Sequence, residues 1–460
     1  MNNLSDTITA ISTPIGEGGI SVIRVSGENT FQVVEKIFSK SKESFKKINI
    51  GDISSHTIHF GYLYDGDDII DEVLISIFKS PNSYTGEDVV EISSHGGVFV
   101  TQKVLGLVIK NGAVHAEPGE FTKRAFLNGR MDLSQAEAVA DLIHAKTNEA
   151  HASSIKQLEG SLSEYVKKVR EDLISVTALV ELELDFAEED LEFAHKKDLQ
   201  KRAKSIISDL EEIISSYISG KVIREGVNVV IAGKPNSGKS SLFNALLKTE
   251  RAIVSEISGT TRDYLEENLI INGILFNLTD TAGLRTTEDI IESEGIKRSY
   301  GRIKGADLII FLVDSSASSE EIQLSIEYYD RNIKSDNSIL VYTKADISSN
   351  EDIKKDNLVI SINDINLLSE LKKEMTKKVS TSLSAVKSDS IILTNLRHKI
   401  CLENTVASLN NVIKSIDDNM SGEFISIDLR NALTHLGEIT GSVTNDEILH
   451  YVFSKFCIGK

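Results

Sequence analysis

Cysteine is scarce in this chain of 460 residues, which contains only Cys401 and Cys457. Two cysteines exclude a disulfide framework and any CxxC zinc site, and they fit a reducing cytoplasm. The longest apolar run, around Leu308 to Val313, is far too short to span a bilayer. Met1 is not followed by the basic and then apolar stretch of a signal peptide. The sequence therefore predicts a cytoplasmic protein with no membrane attachment.

Positive charge is also in deficit, since 50 lysines and arginines face 69 acidic residues, for a net charge of −19. An acidic chain does not attract nucleic acid through its overall field. Any contact with RNA must use a local basic patch, a partner or a single flipped nucleotide. Hydrophobic residues make up 40% and charged residues 26%, an ordinary globular mixture. The length predicts two to four domains.

The first 120 or so residues read as α+β. Short β-like runs lie at 20–25, 73–78 and 89–92, and helix-like stretches lie at 31–38 and 98–109, with glycines at the turns. From about Ser134 the apolar period becomes helical. One long helix is predicted from apolar residues three or four apart between Ile155 and Val180, and a second from Ile206 to Ile218 with Gly220 as its stop.

Helical spacing returns after about residue 385, from Leu402 to Ile416 and from Ile425 to Leu436. Amphipathic helices on both sides of an α/β segment must bury their apolar faces, and the economical solution is one helical domain interrupted by an insertion. The predicted domains are an N-terminal α+β domain at 1–122, a helical domain at 123–222 and 384–460, and an inserted P-loop domain at 223–383.

The inserted segment opens with a nucleotide-binding pattern. The β-branched run 227–232 leads directly into Gly233-Lys-Pro-Asn-Ser-Gly238-Lys239-Ser240, and a helical pattern follows. This is the GxxxxGK[ST] loop in its strand–loop–helix context. Its backbone amides curl around phosphate oxygens, Lys239 reaches the β- and γ-phosphates, and the Ser240 hydroxyl binds Mg²⁺.

Three further motifs follow in the expected order. Gly259-Thr260-Thr261-Arg-Asp supplies a threonine for Mg²⁺ and the γ-phosphate, and Asp280-Thr281-Ala282-Gly283 offers a carboxylate for Mg²⁺ and a glycine amide. Thr343-Lys344-Ala-Asp346 places an aspartate that can accept from N1–H and the 2-amino group of guanine. Adenine has neither donor, so the ordered set predicts GTP binding. The candidate GTP-binding residues are Asn236, Ser237, Gly238, Lys239, Ser240, Ser241, Ser255, Thr260, Thr261, Asp280, Thr281, Ala282, Gly283, Thr343, Lys344, Asp346 and Ser361.

The residue that orients the attacking water is not fixed by these motifs. Leu284 stands where Ras-like enzymes carry glutamine, and leucine cannot polarise water. Hydrolysis therefore needs another group. Polar candidates nearby in sequence are Arg285, Glu288, Asp289, Glu292 and Glu294.

With this ordered set of motifs and both ends of the chain, the sequence resembles the MnmE (TrmE) family of tRNA modification GTPases over essentially its whole length. The N-terminal resemblance rests on Asp6-Thr-Ile, Gly18-Gly-Ile and Arg24-Val-Ser-Gly, followed by the segments 81–91, 95–97 and 118–130. The chain closes with Phe456-Cys-Ile-Gly-Lys460, which is specific to the family when joined to an inserted GTPase domain.

The resemblance implies a K⁺-dependent GTPase that modifies the wobble uridine of certain tRNAs at C5, in complex with the partner MnmG. FAD and NADH would enter only through that partner, and the one-carbon unit would come from 5-formyl- or methylene-tetrahydrofolate. The family forms a homodimer through its N-terminal domain, and a heterotetramer with MnmG. Contact with tRNA would be made mostly through the complex.

The resemblance also implies residue roles. Asn236 would bind K⁺, and Ser255, Ile257 and Thr260 would lie in the loop that wraps the ion. Mg²⁺ would be held by Ser240 and Thr261. Glu292 would orient the attacking water. The matching folate positions are Arg24, Glu91, Arg130 and Lys460.

The sequence departs from the family pattern at three places. In the guanine motif, Thr343 stands where asparagine is commoner, which predicts the loss of one support for the loop but keeps Asp346. The last guanine motif appears only as Ser361-Ile-Asn, and Arg130 replaces a lysine. Cys401 reads as core, Cys457 as a small buried hydrophobe or a catalytic thiol, and His95 as a turn-packing histidine.

Two other functions remain open on the sequence. A ribosome-assembly or signalling GTPase would share the central motifs and act as a conformational switch, without needing the folate positions. A GTP-regulated scaffold would leave all redox chemistry to MnmG.

Overall fold

A computed structural model describes residues 5–185, 196–250, 266–279, 305–347, 357–383 and 391–460. The fold is mixed α/β with a large helical part. Within the described ranges, no helix combines the length and the apolar character needed to cross a membrane.

A seven-stranded sheet organises the N-terminal part, in the order β3-β4-β5-β6-β2-β1-β7. Neighbouring strands are antiparallel except β1 and β7. The strands are β1 (Ile8–Ile11), β2 (Ile20–Ser26), β3 (Phe38–Ser39), β4 (Thr57–Asp65), β5 (Asp68–Phe78), β6 (Val89–His95) and β7 (Val114–His115). The three predicted β runs are confirmed as β2, β5 and β6.

Helices cover both faces of this sheet to different extents. Helix α1 (Thr30–Glu35) and helix α2 (Val98–Lys110), both predicted, bury one face together with a short 3₁₀ turn at Ile50–Asp52. Helix α3 (Glu120–Leu127) covers part of the other face, where Phe121 packs on Ile8 and Ala10.

Five helices follow within the described residues 133–225, before the second sheet of the protein begins. They are α4 (Leu133–His144), α5 (Asn148–Leu158), α6 (Ser161–Asp185), α7 (Lys196–Ser215) and α8 (Tyr217–Glu225). The prediction of one continuous helix through residue 160 is wrong. Gly160, with φ of 93°, separates α5 from α6 in a left-handed conformation that glycine adopts without strain.

The prediction that Gly220 stops a helix is also wrong, because Gly220 lies inside α8 and is buried. The carbonyl of Leu393 lies where a side chain at this position would project. A glycine is therefore needed for a close approach of the returning chain, and not for a helix end.

A second, five-stranded sheet has the order β12-β11-β8-β10-β9. Its strands are β8 (Val227–Gly233), β9 (Glu266–Ile271), β10 (Ile274–Thr279), β11 (Leu308–Asp314) and β12 (Ser338–Thr343). All neighbours are parallel except β9 and β10, which form a hairpin. Helices α9 (Lys239–Glu250), α10 (Ser319–Asn332) and α11 (Ile365–Leu383) accompany this sheet.

The chain then returns to helices α12 (Leu396–Asp417), α13 (Gly422–Thr440) and α14 (Asp446–Phe453). Apolar residues of α12 and α13 share one buried cluster with those of α6 and α7, which precede the five-stranded sheet in sequence, whereas those of α14 pack on α4. Val166 and Leu210 from the earlier segment and Leu402 and Leu429 from the later one are all fully buried in it. The shared apolar core therefore joins the segment that carries α6 and α7 to the segment that carries α12 and α13, although the five-stranded sheet lies between them in sequence.

Candidate functional site

The carboxyl ends of three parallel strands meet at one edge of the five-stranded sheet. Strand β8 ends at Gly233, and its neighbours β11 and β10 end at Asp314 and Thr279. Strand β12 lies beyond β11 and ends at Thr343. Loops that leave such an edge form the crevice in which open α/β sheets bind ligands.

The phosphate-binding loop leaves the central strand of this edge. Residues 234–238 connect β8 to α9, whose first residue is Lys239. Asn236 and Gly238 have positive φ angles of 62° and 91°, which curl the backbone into a concave loop. The Nζ atom of Lys239 lies 3.0 Å from the carbonyl oxygen of Gly233 and 2.8 Å from that of Lys234. The lysine amine thus sits inside the concavity, where phosphate oxygens bind in such loops.

The loop is tied to the neighbouring strand ends by Thr343. Its buried hydroxyl donates to the carbonyl oxygen of Ser237 at 2.9 Å and lies 3.3 Å from that of Val313. The expectation that threonine at this position drops a support for the loop is therefore corrected. The shorter side chain still reaches the loop, because β12 ends beside it.

The segment after β12 carries the candidate base-recognition residues Lys344 and Asp346. Lys344 has a φ angle of 60° and its amine is ion-paired with Asp314. Burial opposes ionisation of Asp314, but hydrogen bonds from Lys344 and Ser316 lower its pKa. Asp346 is exposed in the turn that follows.

The last candidate guanine motif lies against this turn. The amide of Ala345 donates to the carbonyl oxygen of Ile360 at 3.2 Å, and the amide of Ile360 donates to that of Tyr342 at 2.7 Å. Ser361, which is buried, is thereby placed beside the segment that carries Asp346. The structure brings these two candidate motifs together, although 15 positions separate Asp346 from Ser361 in the sequence.

Several predicted site residues lie outside the described residues. These are Ser255, Ile257, Thr260, Thr261, Asp280, Thr281, Ala282, Gly283 and Glu292, together with Leu284, Arg285, Glu288, Asp289 and Glu294. Of the other phosphate-loop candidates, Ser240 is half-buried and Ser241 is exposed in the first turn of α9.

A second cluster of candidate residues lies on the seven-stranded sheet. Arg24 on β2 and Glu91 on β6 are direct cross-strand neighbours. The Nε and Nη2 atoms of Arg24 donate to one carboxylate oxygen of Glu91 at 2.9 and 2.7 Å. The guanidinium lies 5.1 Å from the ring centroid of Tyr84 and 5.6 Å from that of Phe121. Two aromatic rings and a carboxylate thus fix the Arg24 side chain in place.

One polar atom of this cluster has no hydrogen-bond partner among the described residues. The Nη1 atom of Arg24 is buried and makes no hydrogen bond within the described part of the chain. A buried donor of this kind is costly unless something accepts from it. The cluster therefore has an unused cationic donor at its centre.

Segment 456–460 brings Lys460 to the same cluster. The amide of Gly119, before α3, donates to the carbonyl oxygen of Cys457, and the hydroxyl of Ser12 donates to that of Gly459 at 3.2 Å. Lys460 is half-buried, and its pKa responds to the charges of Arg24 and Glu91. Arg130 is exposed, with its side chain beside Gly86. The structure thus groups Arg24, Glu91 and Lys460, and shows no described contact between them and Arg130.

The remaining single-residue expectations have mixed outcomes. Cys401 is core as predicted, with burial raising its pKa to about 12. Cys457 is exposed, so the prediction of a small buried hydrophobe is wrong, because the tail turns its side chain outward. His95 is exposed and its Nδ1 lies 2.6 Å from Asp71. The hydrogen bond that the ring of His95 donates to Asp71, and the charge of Asp71, raise the pKa of His95, which is a surface ion-pair residue and not a turn-packing one.

Sequence reasoning missed a buried polar network in the helical part. Glu137 on α4 accepts from Nε and Nη2 of Arg397 at 2.9 and 2.8 Å, and lies 2.6 Å from Nε2 of His398. One turn further along α4, Asp141 accepts from Nε of Arg224 at 2.8 Å. Arg224 precedes β8 and Arg397 follows the return from α11, so α4 is bonded next to both crossings to the five-stranded sheet. Asp141 and Arg224 are 83 residues apart, and Glu137 and Arg397 are 260 residues apart, so no local sequence pattern predicts these pairs.

The strand–loop–helix unit, with its lysine in the concavity and a second loop tied to it by Thr343, defines a P-loop GTPase. Two family models match the chain: the MnmE helical domain over residues 133–457 and the GTP-binding protein TrmE N-terminus over residues 7–130. The chain belongs to the MnmE family of tRNA modification GTPases, and it is a GTP hydrolase.

Relatives support this over the full length. A tRNA modification GTPase MnmE from Christiangramia forsetii is 41% identical, over 99% of this chain and 100% of the relative. One from Alkaliphilus metalliredigens is 42% identical over the same shares of the two chains. Among solved structures, the G domain of the T. maritima FeoB iron transporter is 29% identical over 33% of this chain and 98% of that chain, with a TM-score of 0.25.

Proposed function

We propose that this GTPase, with the FAD-dependent partner MnmG, modifies C5 of the wobble uridine of certain tRNAs. The product would carry an aminomethyl or carboxymethylaminomethyl type of substituent. The observation that carries this proposal is the cluster of Arg24, Glu91 and Lys460, assembled from both ends of the chain. A GTPase that is only a conformational switch in ribosome assembly or signalling has no need of it.

The proposal is tested by nucleoside analysis of tRNA from a deletion strain. Loss of the C5-modified wobble uridine, restored by the full-length gene, is the expected result. Normal wobble uridine in the deletion strain would favour the conformational switch. Because the chain carries a net charge of −19, tRNA contact in the complex is assigned mostly to the partner.

We assign the chemistry to three functional domains. Residues 1–122 would dimerise and bind folate, residues 123–222 and 384–460 would form the helical domain, and residues 223–383 would form the GTPase domain. The core shared between α6–α7 and α12–α13 supports the two-segment helical domain. The assembly would be a homodimer that joins MnmG in a cytoplasmic heterotetramer, with NADH and FAD acting on the partner.

The folate assignment makes one prediction. Arg24→Ala should weaken binding of 5-formyltetrahydrofolate about ten- to a hundredfold, because a charged, buried donor is lost. GTP affinity should stay unchanged, because the nucleotide loop lies on the other sheet. Equilibrium dialysis with labelled folate and a fluorescent-nucleotide titration measure the two. Arg331→Ala, on an exposed face of α10, is the matched control, and equal folate affinity in both variants would remove the assignment.

The assignment of the ions and of the water-orienting residue makes two further predictions. We propose that Ser240 and Thr261 bind Mg²⁺, that Asn236, Ser255, Ile257 and Thr260 surround K⁺, and that Glu292 orients the attacking water. Hydrolysis should then be faster in K⁺ than in Na⁺, since cavity size and ligand number select the ion.

Glu292→Ala should lower single-turnover hydrolysis about a hundredfold without changing GTP affinity, as for a group that acts on the water alone. Equal rates in the two salts, or an inactive Arg285→Ala beside a normal Glu292→Ala, would replace this assignment with an arginine-finger mechanism.

A further inference from the structure

The cluster of Arg24, Glu91 and Lys460 contains two cations, and they are not equivalent. Arg24 is held by Glu91, Tyr84 and Phe121 and remains charged at all physiological pH. Lys460 makes no ion pair with any residue that the structure describes. A guanidinium already satisfies the need for a fixed positive charge at this place, which leaves the amine free for another role.

Contacts of the main chain fix the position of the Lys460 backbone. Gly459 rests directly on the main chain of Ile11, and Ile11 pairs with Ile23 across β1 and β2. The main chain of Lys460 therefore starts beside the Ile11–Ile23 pair, and Arg24 is the next residue along β2. Hydrogen bonds at Ser12 and Gly119 hold segment 456–460 in this place.

The surroundings of Lys460 favour the neutral amine. Burial first, and the nearby charge of Arg24 second, lower the pKa of Lys460 below its usual range, while Glu91 opposes them. A lysine that is partly desolvated and next to another cation is the environment in which enzymes use the amine as a nucleophile. Arginine cannot take this role, because it does not lose its proton in proteins.

We propose that Nζ of Lys460 is the nucleophile that takes the methylene group from methylene-tetrahydrofolate and holds it as an iminium ion. This inference rests on the proposed function, which places the folate at Arg24 and Glu91. It goes further by assigning a covalent role to a residue that the resemblance places only among the folate-binding positions.

The step balances without an oxidant or reductant. Nζ forms a double bond to the methylene carbon in two steps, and the two bonds from that carbon to the folate nitrogens break. Each nitrogen keeps its electron pair and takes a proton, one of them from Nζ and one from solvent. The products are tetrahydrofolate and Lys460 as a protonated methylene imine, at the same oxidation level as the donor. The carbon is then attached to the chain itself.

Reductive trapping tests the proposal on the full-length protein. The protein is incubated with methylene-tetrahydrofolate and cyanoborohydride near neutral pH, and peptide mass spectrometry locates methylated lysines. Lys455 is the internal reference, since it is exposed on the same tail and contacts the ring of Tyr451. We expect Lys460 to exceed Lys455 in methylation by about tenfold or more, since bound folate holds its methylene group beside one amine and raises the effective concentration there.

Three controls separate site chemistry from released formaldehyde. Formaldehyde alone should label the exposed lysines without the folate-dependent preference for Lys460. Excess 5-formyltetrahydrofolate should suppress labelling at Lys460 only. Lys460→Arg should keep folate binding, because the charge remains, but should lose the trapped adduct and wobble-uridine modification. Lys455→Arg should leave the labelling of Lys460 intact.

Failure of the carrier role of Lys460 and failure of the folate site give different results. If the wild type binds methylene-tetrahydrofolate but Lys460 is labelled no more than Lys455, the carrier role is wrong and the folate site stands. Normal tRNA modification by Lys460→Arg also overturns the carrier role. If the wild type binds no folate at all, the folate donor of the proposed function falls, and this inference falls with it.

Discussion

Replacing Asp346 by asparagine should convert the nucleotide site from a guanosine to a xanthosine triphosphate site. The side chain lies exposed immediately after β12, beside the main-chain bonds that join Ala345 to Ile360. Its two carboxylate oxygens can accept from N1–H and the 2-amino group of guanine. In asparagine one acceptor becomes a donor, which clashes with the 2-amino group and suits the 2-oxo group of xanthine.

The preference for GTP over xanthosine triphosphate should change by about four orders of magnitude, the scale on which a polar site rejects a mismatched partner. Fluorescent-nucleotide titrations with both bases measure it. Asp336→Asn is the matched control, because Asp336 is exposed at the amino end of the same strand, away from the loops. Unchanged GTP affinity in Asp346→Asn would place the guanine pocket elsewhere in the chain.

The strand, loop and helix of the candidate nucleotide site were readable from sequence because they are close in the chain. A β-branched run, a glycine-rich loop and a helical pattern follow one another within residues 227–250, and each is a local signal. The meaning of Thr343 was not readable, because the support that it gives is a hydrogen bond to Ser237, 106 residues away. That bond depends on which strands become neighbours, which local patterns do not state.

Helix ends were misread for a similar reason. Apolar residues continue at helical spacing through Gly160, so the period alone joins α5 and α6. At Gly220 the absent side chain reflects contact with Leu393, again a tertiary event. Glycine has both local and long-range uses, and a single sequence does not separate them.

Replacing Glu137 by glutamine should lower stability by about 3 to 5 kcal/mol, the range for breaking a buried ion pair. The carboxylate is almost fully buried and lies between Arg397 and His398. Glutamine has nearly the same shape, so the loss is electrostatic: the guanidinium of Arg397 keeps its charge in a dry site without its counterion. The network joins α4 to α12 next to the point where the chain returns from the five-stranded sheet, so the helical part should loosen there first.

The effect should depend on pH in a defined direction. Burial opposes ionisation of Glu137, but the charge and hydrogen bond of His398 and those of Arg397 lower its pKa in the folded state. A carboxyl with a depressed folded pKa contributes stability above its unfolded pKa of about 4.3, and this is lost as the pH falls towards the folded value. The stability difference between wild type and Glu137→Gln should therefore be full near neutral pH and shrink below about pH 4.3.

Urea unfolding of the full-length chain, followed by circular dichroism, and hydrogen exchange of the α12 amides measure this loss. Arg430→Ala is the control, because the pair of Arg430 and Glu181 also joins helices from the two segments but is open to solvent. Exposed pairs of this kind contribute little, so the control should unfold almost as the wild type does. If Glu137→Gln and Arg430→Ala unfold alike at neutral pH, the buried network does not hold the two segments together, and the apolar cluster around Leu402 and Leu429 does so alone.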